Sequence, residues 1–221
     1  MTDPENEPNT ENDVDDQLET ILRAFLLKDE GRTGWQLRGV DNPESVAGHT
    51  WGVALFCLLY ADHDDAPAGV DPDRALRMAV VHDLAEAETG DFATRADSTA
   101  DTVDPGEKEQ LEEAAITDLF EPFDEDGDLR AIWDEYETRA SPTARFVKDM
   151  DLVDMCFQAV YYEREERYDT ADDSTHDEQF AEYEALDEFF ATATPRIRTE
   201  IGRRLLERAR ESYEAARERR R

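Results

Sequence analysis

Apolar residues recur along this chain with the period of an α-helix rather than a strand. Between Gln17 and Leu27, the residues Leu18, Ile21, Leu22, Phe25 and Leu26 fall at i, i+3 and i+4 spacing and predict an amphipathic first helix. Asn42-Pro43 reads as an N-cap with proline at the first helical position, opening a helix to about Ala61 whose core side holds Val46, Val53, Phe56, Leu59 and Tyr60. Leu111, Ala115, Ile116, Leu119 and Phe120 predict a helix over Glu107–Phe120, and Ile132, Trp133 and Tyr136 a short one over Leu129–Thr138. Ser141-Pro142 opens a long helix to about Arg167 with Phe146, Val147, Met150, Val153, Phe157, Val160 and Tyr161 on one side. Two further helices are expected over about Glu178–Thr192 and Pro195–Arg217. Strand-like alternation is nearly absent, so the fold class is all-α.

One stretch departs from the amphipathic pattern. In RALRMAVVHDLAEAETGD, Arg74 to Asp91, the segment from Ala75 to Ala87 lacks Gly and Pro and is apolar all round, which predicts a helix inside the molecule. Three polar residues are set into it: His82, Asp83 and Glu86. Burying a carboxylate beside an imidazole is costly unless they are paired or bind a metal, so this stretch is where chemistry is expected. At helical spacing all three reach one cavity, and Thr89-Gly90-Asp91 ends the helix with a second acid at its rim.

Length and charge bound the remaining possibilities. The 221 residues suit one domain over 17–221 behind an acidic tail, 1–16, that has too few large apolar residues to order itself. The 57 acidic against 24 basic residues give a net charge of -33, which argues against nucleic acid and anionic membranes as general partners. These acids are spread over nearly every segment, as on the solvated surface of a protein from a very salty cytoplasm, where screening removes self-repulsion. Only Lys28, Lys108 and Lys148 are lysines. No signal-peptide pattern and no spanning apolar run is evident, so a cytoplasmic location without a membrane partner is expected. Cys57 and Cys156 sit in apolar helical patterns and read as small buried hydrophobes in a reducing compartment. His63 and His176 fall in polar loops and read as surface residues. FDEDGD, Phe123 to Asp128, looks like a calcium loop but carries its glycine at the wrong position for an EF-hand. The arginines at the C-terminus most simply complement the last helix dipole.

Polar residues misplaced on core-facing helices form a set: His49 beside Val46 and Val53, the pair His82-Asp83, and Asp151 at the edge of the long helix's buried stripe. Two imidazoles and two carboxylates suit a divalent transition ion, Mn, Co, Fe, Ni or Zn, with positions left open for water and substrate. Such an ion resolves the burial cost and leaves Glu86 to handle protons. The loop from Lys28 to Asn42 carries Trp35 between Arg32 and Arg38. Trp35 either packs over the first helix or forms an aromatic and guanidinium wall for a base and a phosphate.

The blocks TGWQLRGV with ESVAGHTW, VVHDLAEAETGD, and WDEYE followed by ARFVKDMD, in this order over about Leu22 to Tyr162, resemble the HD-domain phosphohydrolases, within them the 5'-deoxynucleotidases. The resemblance implies an all-α HD-domain bundle, commonly a homodimer, that hydrolyses deoxynucleoside 5'-monophosphates to deoxynucleosides and phosphate. It implies metal ligands at His49, His82, Asp83 and Asp151, a catalytic acid at Glu86, a sugar-contacting aspartate at Asp91, and a tryptophan beside the substrate at Trp35. Bacterial members place Arg directly before that tryptophan. Here Gly34 stands there, which leaves the phosphate-binding role between Arg32 and Arg38. Two alternatives accompany this reading: the same site acting on another nucleotide or phosphate ester, and a nucleotide sensor without turnover. Leftover apolar faces on the terminal helices fit a dimer surface and intramolecular packing equally well.

Overall fold

The computed structural model describes residues 10–96, 103–168 and 183–220. Helices follow in the order α1 (Thr10–Ala24), a 3-10 turn (Phe25–Lys28), α2 (Thr33–Leu37), α3 (Val46–Tyr60), α4 (Pro72–Val81), α5 (Glu86–Thr89), α6 (Pro105–Phe120), α7 (Asp128–Thr138), α8 (Pro142–Arg164), α9 (Asp187–Ala193) and α10 (Glu200–Arg220). Among the described residues there is no β-strand, only an isolated bridge between Gly31 and Ser45. The chain is an all-α bundle.

Local chemistry sets the helix starts. The carboxylates of Asp71 and Asp104 and the hydroxyl of Ser141 accept backbone N–H groups at the starts of α4, α6 and α8, each with proline in the first turn. Asp124 accepts from the N–H groups of Leu129 and Arg130, so the acidic FDEDGD segment serves as a helix start. Asp149 on α8 accepts from the N–H groups of Arg198 and Thr199, which fixes the start of α10 against α8.

The core is organised around α8. It is enclosed by α3, α4, α7, α9 and α10, and Phe146, Val147, Met150, Val153, Cys156 and Ala159 are wholly buried along it. Four acids on this helix are buried as well, Asp149, Asp151, Asp154 and Glu163. Full burial of a side chain such as Phe146 or Met150 contributes on the order of 2 kcal/mol, so α8 anchors the fold.

Several sequence expectations are corrected. The continuous helix expected over Ala75–Ala87 breaks at His82: Leu84, Glu86 and Ala87 bond three residues back, tightening the backbone into turns before α5. It is also one-sided, with Ala75, Met78 and Ala79 buried and Val80 exposed. The helix after Asn42-Pro43 starts later, at Val46, capped by Ser45. Backbone bonds from Arg32 N to Glu44 O and from Val46 N to Glu30 O hold residues 44–46 against residues 30–32 of the preceding loop. Leu59, expected on the core side of α3, faces outward.

The first helix begins at Thr10, inside the segment expected to be a disordered tail. Its stripe of Leu18, Ile21, Leu22, Phe25 and Leu26 is exposed, and Leu27 is the buried position instead. Of the helix expected over Glu178–Thr192, the described part is α9, and His176 lies outside the described residues. Cys57 and Cys156 are free and buried, and His63 is exposed.

Candidate metal centre and active-site cavity

His49 on α3 and His82 at the end of α4 are both buried, and each uses Nδ1 on a fixed acceptor. His49 Nδ1 lies 2.7 Å from Asp154 Oδ2, and His82 Nδ1 lies 2.7 Å from the carbonyl oxygen of Ala79. Both acceptors take a proton from Nδ1, which turns both Nε2 atoms toward the cluster, where each neutral ring offers a lone pair. Neither Nε2 has a hydrogen-bond partner although both are buried. They converge on carboxylates: Asp83 Oδ2 is 3.1 Å from His82 Nε2 and 3.6 Å from His49 Nε2, and Asp151 Oδ1 is 3.2 Å from His49 Nε2. Orphaned imidazole nitrogens facing carboxylate oxygens at these separations fit a divalent transition ion, whose ligand distances are about 2.0–2.2 Å. His49, His82 and Asp83 form such a group by distance alone.

The surroundings orient these ligands. Tyr136 on α7 donates from its hydroxyl to Asp151 Oδ2 (2.7 Å), and Lys148 Nζ donates to the same oxygen (2.8 Å) and to Tyr136 Oη (2.9 Å). Oδ1 is thereby left for the cluster. Asp154 reaches His49 because residue 52 is glycine: a Cβ on Gly52 would overlap Asp154 Oδ1. Burial and the Arg32 charge oppose protonation of His49, but the facing carboxylates of Asp151 and Asp154 prevail and its imidazolium is pushed up to about 10. Against its own burial, His82, Arg32 and His49 hold Asp83 well below the usual carboxylate range. Lys148, His49 and His82 do the same for Asp151.

Glu86 opens α5 one turn beyond His82, and its Oε2 is buried without a hydrogen-bond partner. Burial first, and then the charges of Asp83 and Asp91, raise this carboxyl well above its ordinary value, which favours its protonated form. Arg32 Nη1 sits 3.1 Å from Asp83 Oδ2, 3.3 Å from Asp91 Oδ1 and 4.0 Å from Glu86 Oε2. Asp91 Oδ2 also accepts from Thr33 N at 2.5 Å, which ties the loop after α5 to the start of α2.

One cavity is lined by Arg32, Trp35, Asp83, Glu86, Asp91 and Asp151. His49 and His82 are not among its lining residues but contact the Asp83 and Asp151 that are. Trp35 does not pack over the first helix: its ring meets Phe189 at 3.8 Å and the edge of Tyr162 at 5.2 Å, and its Nε1 donates to Glu44. Arg38 is not brought to this cavity. It donates to Glu188 and to the carbonyl of Tyr183, and Arg95 shares the same carboxylate.

Sequence reasoning missed several residues around this cavity. Tyr136 reads in the sequence only as part of a helix face, and Asp154, one turn beyond Asp151, carries no local mark of its own. Lys108, Arg139, Lys148 and Arg196 also line the cavity, so two of the three lysines noted from composition are here. That scarcity of lysine was the signal available. Phe189 and Arg196 come from the α9 region, and nothing in their local sequence marks them.

A family model described as "HD domain" matches residues 25–191. The 5'-deoxynucleotidase HDDC2 of Bos taurus is 40% identical over 148 residues, covering 66% of this chain and 67% of that protein. Among solved structures, the PH0347 protein from Pyrococcus horikoshii OT3 superposes with a TM-score of 0.66 at 30% identity, covering 89% of this chain and 98% of that one. A protein titled "Predicted metal-dependent phosphohydrolase" from Magnetospirillum magnetotacticum MS-1 superposes with a TM-score of 0.64 at 25% identity, covering 96% of each chain.

Proposed function

The chain belongs to the HD-domain family, and from that premise we propose that it is a metal-dependent phosphomonoesterase hydrolysing deoxynucleoside 5'-monophosphates to deoxynucleosides and phosphate. The observation that carries this reading is the pair of buried, unpartnered Nε2 atoms of His49 and His82 facing Asp83 and Asp151, with the buried carboxyl of Glu86 beside them.

His49, His82, Asp83 and Asp151 would hold a divalent ion, with Mn, Co, Fe, Ni and Zn all compatible with this donor set. When bound, the ion supplies a Lewis acid for a phosphoryl oxygen and lowers the pKa of a coordinated water. The chain's own groups do the rest. Arg32 contributes the positive charge that orients the phosphoryl group, and of the two arginines weighed it is the one that reaches the cavity. As the water oxygen bonds to phosphorus and the bond to the 5'-oxygen breaks, Glu86 gives its proton to that oxygen. The proton released by the water then restores Glu86. Asp91 accepts from the sugar hydroxyl, and the apolar and aromatic wall around Trp35 excludes water from the nucleoside end.

A homodimer is supported by the outward stripe of Leu18, Ile21, Leu22, Phe25 and Leu26; Trp51 and Leu58 of α3, the helix packed against the 3-10 turn, are exposed as well. No described helix is long and apolar enough to cross a membrane. Two buried free thiols support a reducing, cytoplasmic setting, and the net charge of -33 supports a high-salt one.

The test is phosphate release from deoxyribo- and ribonucleoside 5'-monophosphates in molar KCl with Mn²⁺, Co²⁺ or EDTA. Metal-dependent release that favours the deoxy compounds is expected. Release from neither series by folded, metal-loaded protein would overturn the reading.

A further inference from the structure

The cavity runs away from the metal cluster along α8. From Asp151 its wall continues through Leu152 and Met155, one turn on, to Phe189 of α9, whose carbonyl oxygen sits 3.9 Å from Cys156 Sγ. Phe189 lies against Trp35 with ring centroids 3.8 Å apart and planes at 30°. This close approach requires a small residue before the tryptophan, because a Cβ at Gly34 would come within 3.2 Å of Phe189 Cε1. The far end of the cavity is therefore flat, aromatic and apolar, and it lies on the opposite side of Asp151 along α8 from Lys148.

Arg196 lines the cavity beside Phe189 and Thr192. It donates from Nη1 to the carbonyl of Thr192 (2.7 Å) and from Nη2 to the carbonyl of Arg95 (3.1 Å). Two neutral backbone acceptors hold the guanidinium in place without neutralising it. Among the described residues no carboxylate pairs with Arg196, in a chain where acids outnumber bases 57 to 24. A guanidinium has five N–H donors and no acceptor, so most of its donors remain for a ligand that presents oxygen.

Resting on the phosphomonoesterase reading, we propose that Arg196 is a specificity-determining residue for the nucleobase. With the phosphate at the metal cluster and the sugar at Asp91, the base lies along the Trp35–Phe189 wall and receives hydrogen bonds from Arg196. A donor-only group selects bases that carry a carbonyl oxygen and disfavours adenine, which presents an amino group where hypoxanthine and guanine present O6.

Hypoxanthine and adenine are the decisive pair, since they differ chiefly at that position. kcat and KM for deoxyinosine and deoxyadenosine 5'-monophosphates are measured on metal-loaded protein, unmodified and as Arg196→Met and Arg196→Lys. Binding of the two free deoxynucleosides is measured by calorimetry. The unmodified protein is expected to favour the inosine compounds about tenfold, through KM and through the calorimetric Kd, as for a hydrogen bond from a charged donor. Arg196→Met abolishes that preference, and Arg196→Lys restores part of it. Equal treatment of the two bases by unmodified protein, or an equal loss for both in Arg196→Met, would overturn the proposal. If deoxynucleosides are discriminated while neither monophosphate is hydrolysed, the base subsite stands and the phosphomonoesterase reading falls.

Discussion

Asp154 Oδ2 lies 2.7 Å from His49 Nδ1, and that contact decides which nitrogen of His49 faces the carboxylate cluster. The contact exists only because Gly52 leaves room for it. Asp154→Ala and Gly52→Ala are therefore expected to weaken divalent metal binding by roughly 10–100-fold, the usual cost of losing a group that orients a ligand. Competition titrations against a chelator measure this directly, and unchanged affinity in both variants would remove Asp154 from the site.

Burial among Asp83 and Asp91 favours the protonated form of Glu86, which suits the proton donation proposed for it. Glu86→Gln keeps the shape and loses the proton. It should lower kcat about 10²–10⁴-fold, the typical contribution of general acid–base catalysis, while metal content and thermal stability hold. A variant that turns over like the unmodified protein would show that another group delivers the proton.

Metal and proton compete for His49. Without metal the folded protein holds this imidazolium up to about 10, against burial and Arg32, through Asp151 and Asp154. Binding at neutral pH must therefore release that proton, and affinity should tighten about tenfold per pH unit as pH rises toward that value. Calorimetry in buffers of different ionisation enthalpy counts the protons released, and a count near zero would contradict this assignment.

The exposed stripe on α1 and the following 3-10 turn predicts a dimer that charge can break. Leu22→Glu with Phe25→Glu should yield monomers by light scattering in molar KCl, with the metal site intact because neither residue lines the cavity. If the unmodified protein is already monomeric at micromolar concentration, the stripe has another purpose.

The sequence by itself determined the all-α class, because a 3.6-residue apolar period and proline-marked helix starts are local properties. It also singled out His49, His82, Asp83, Glu86 and Asp151, since a polar residue on a core-facing helix has no inexpensive explanation other than chemistry. Tertiary structure decided the rest. Whether Arg32 or Arg38 reaches the cavity depends on residues 30–32 bonding to residues 44–46, and on Glu188, about 150 positions away, taking Arg38. The break at His82 follows from turns that propensity does not register, and the outward stripe of α1 from the absence of any described helix packed over it. Tyr136, Asp154, Phe189 and Arg196 look ordinary in sequence because their roles depend on what other segments bring to them. Periodicity reports which side of a helix is buried, but not which partner buries it, and at this cavity the partner sets the chemistry.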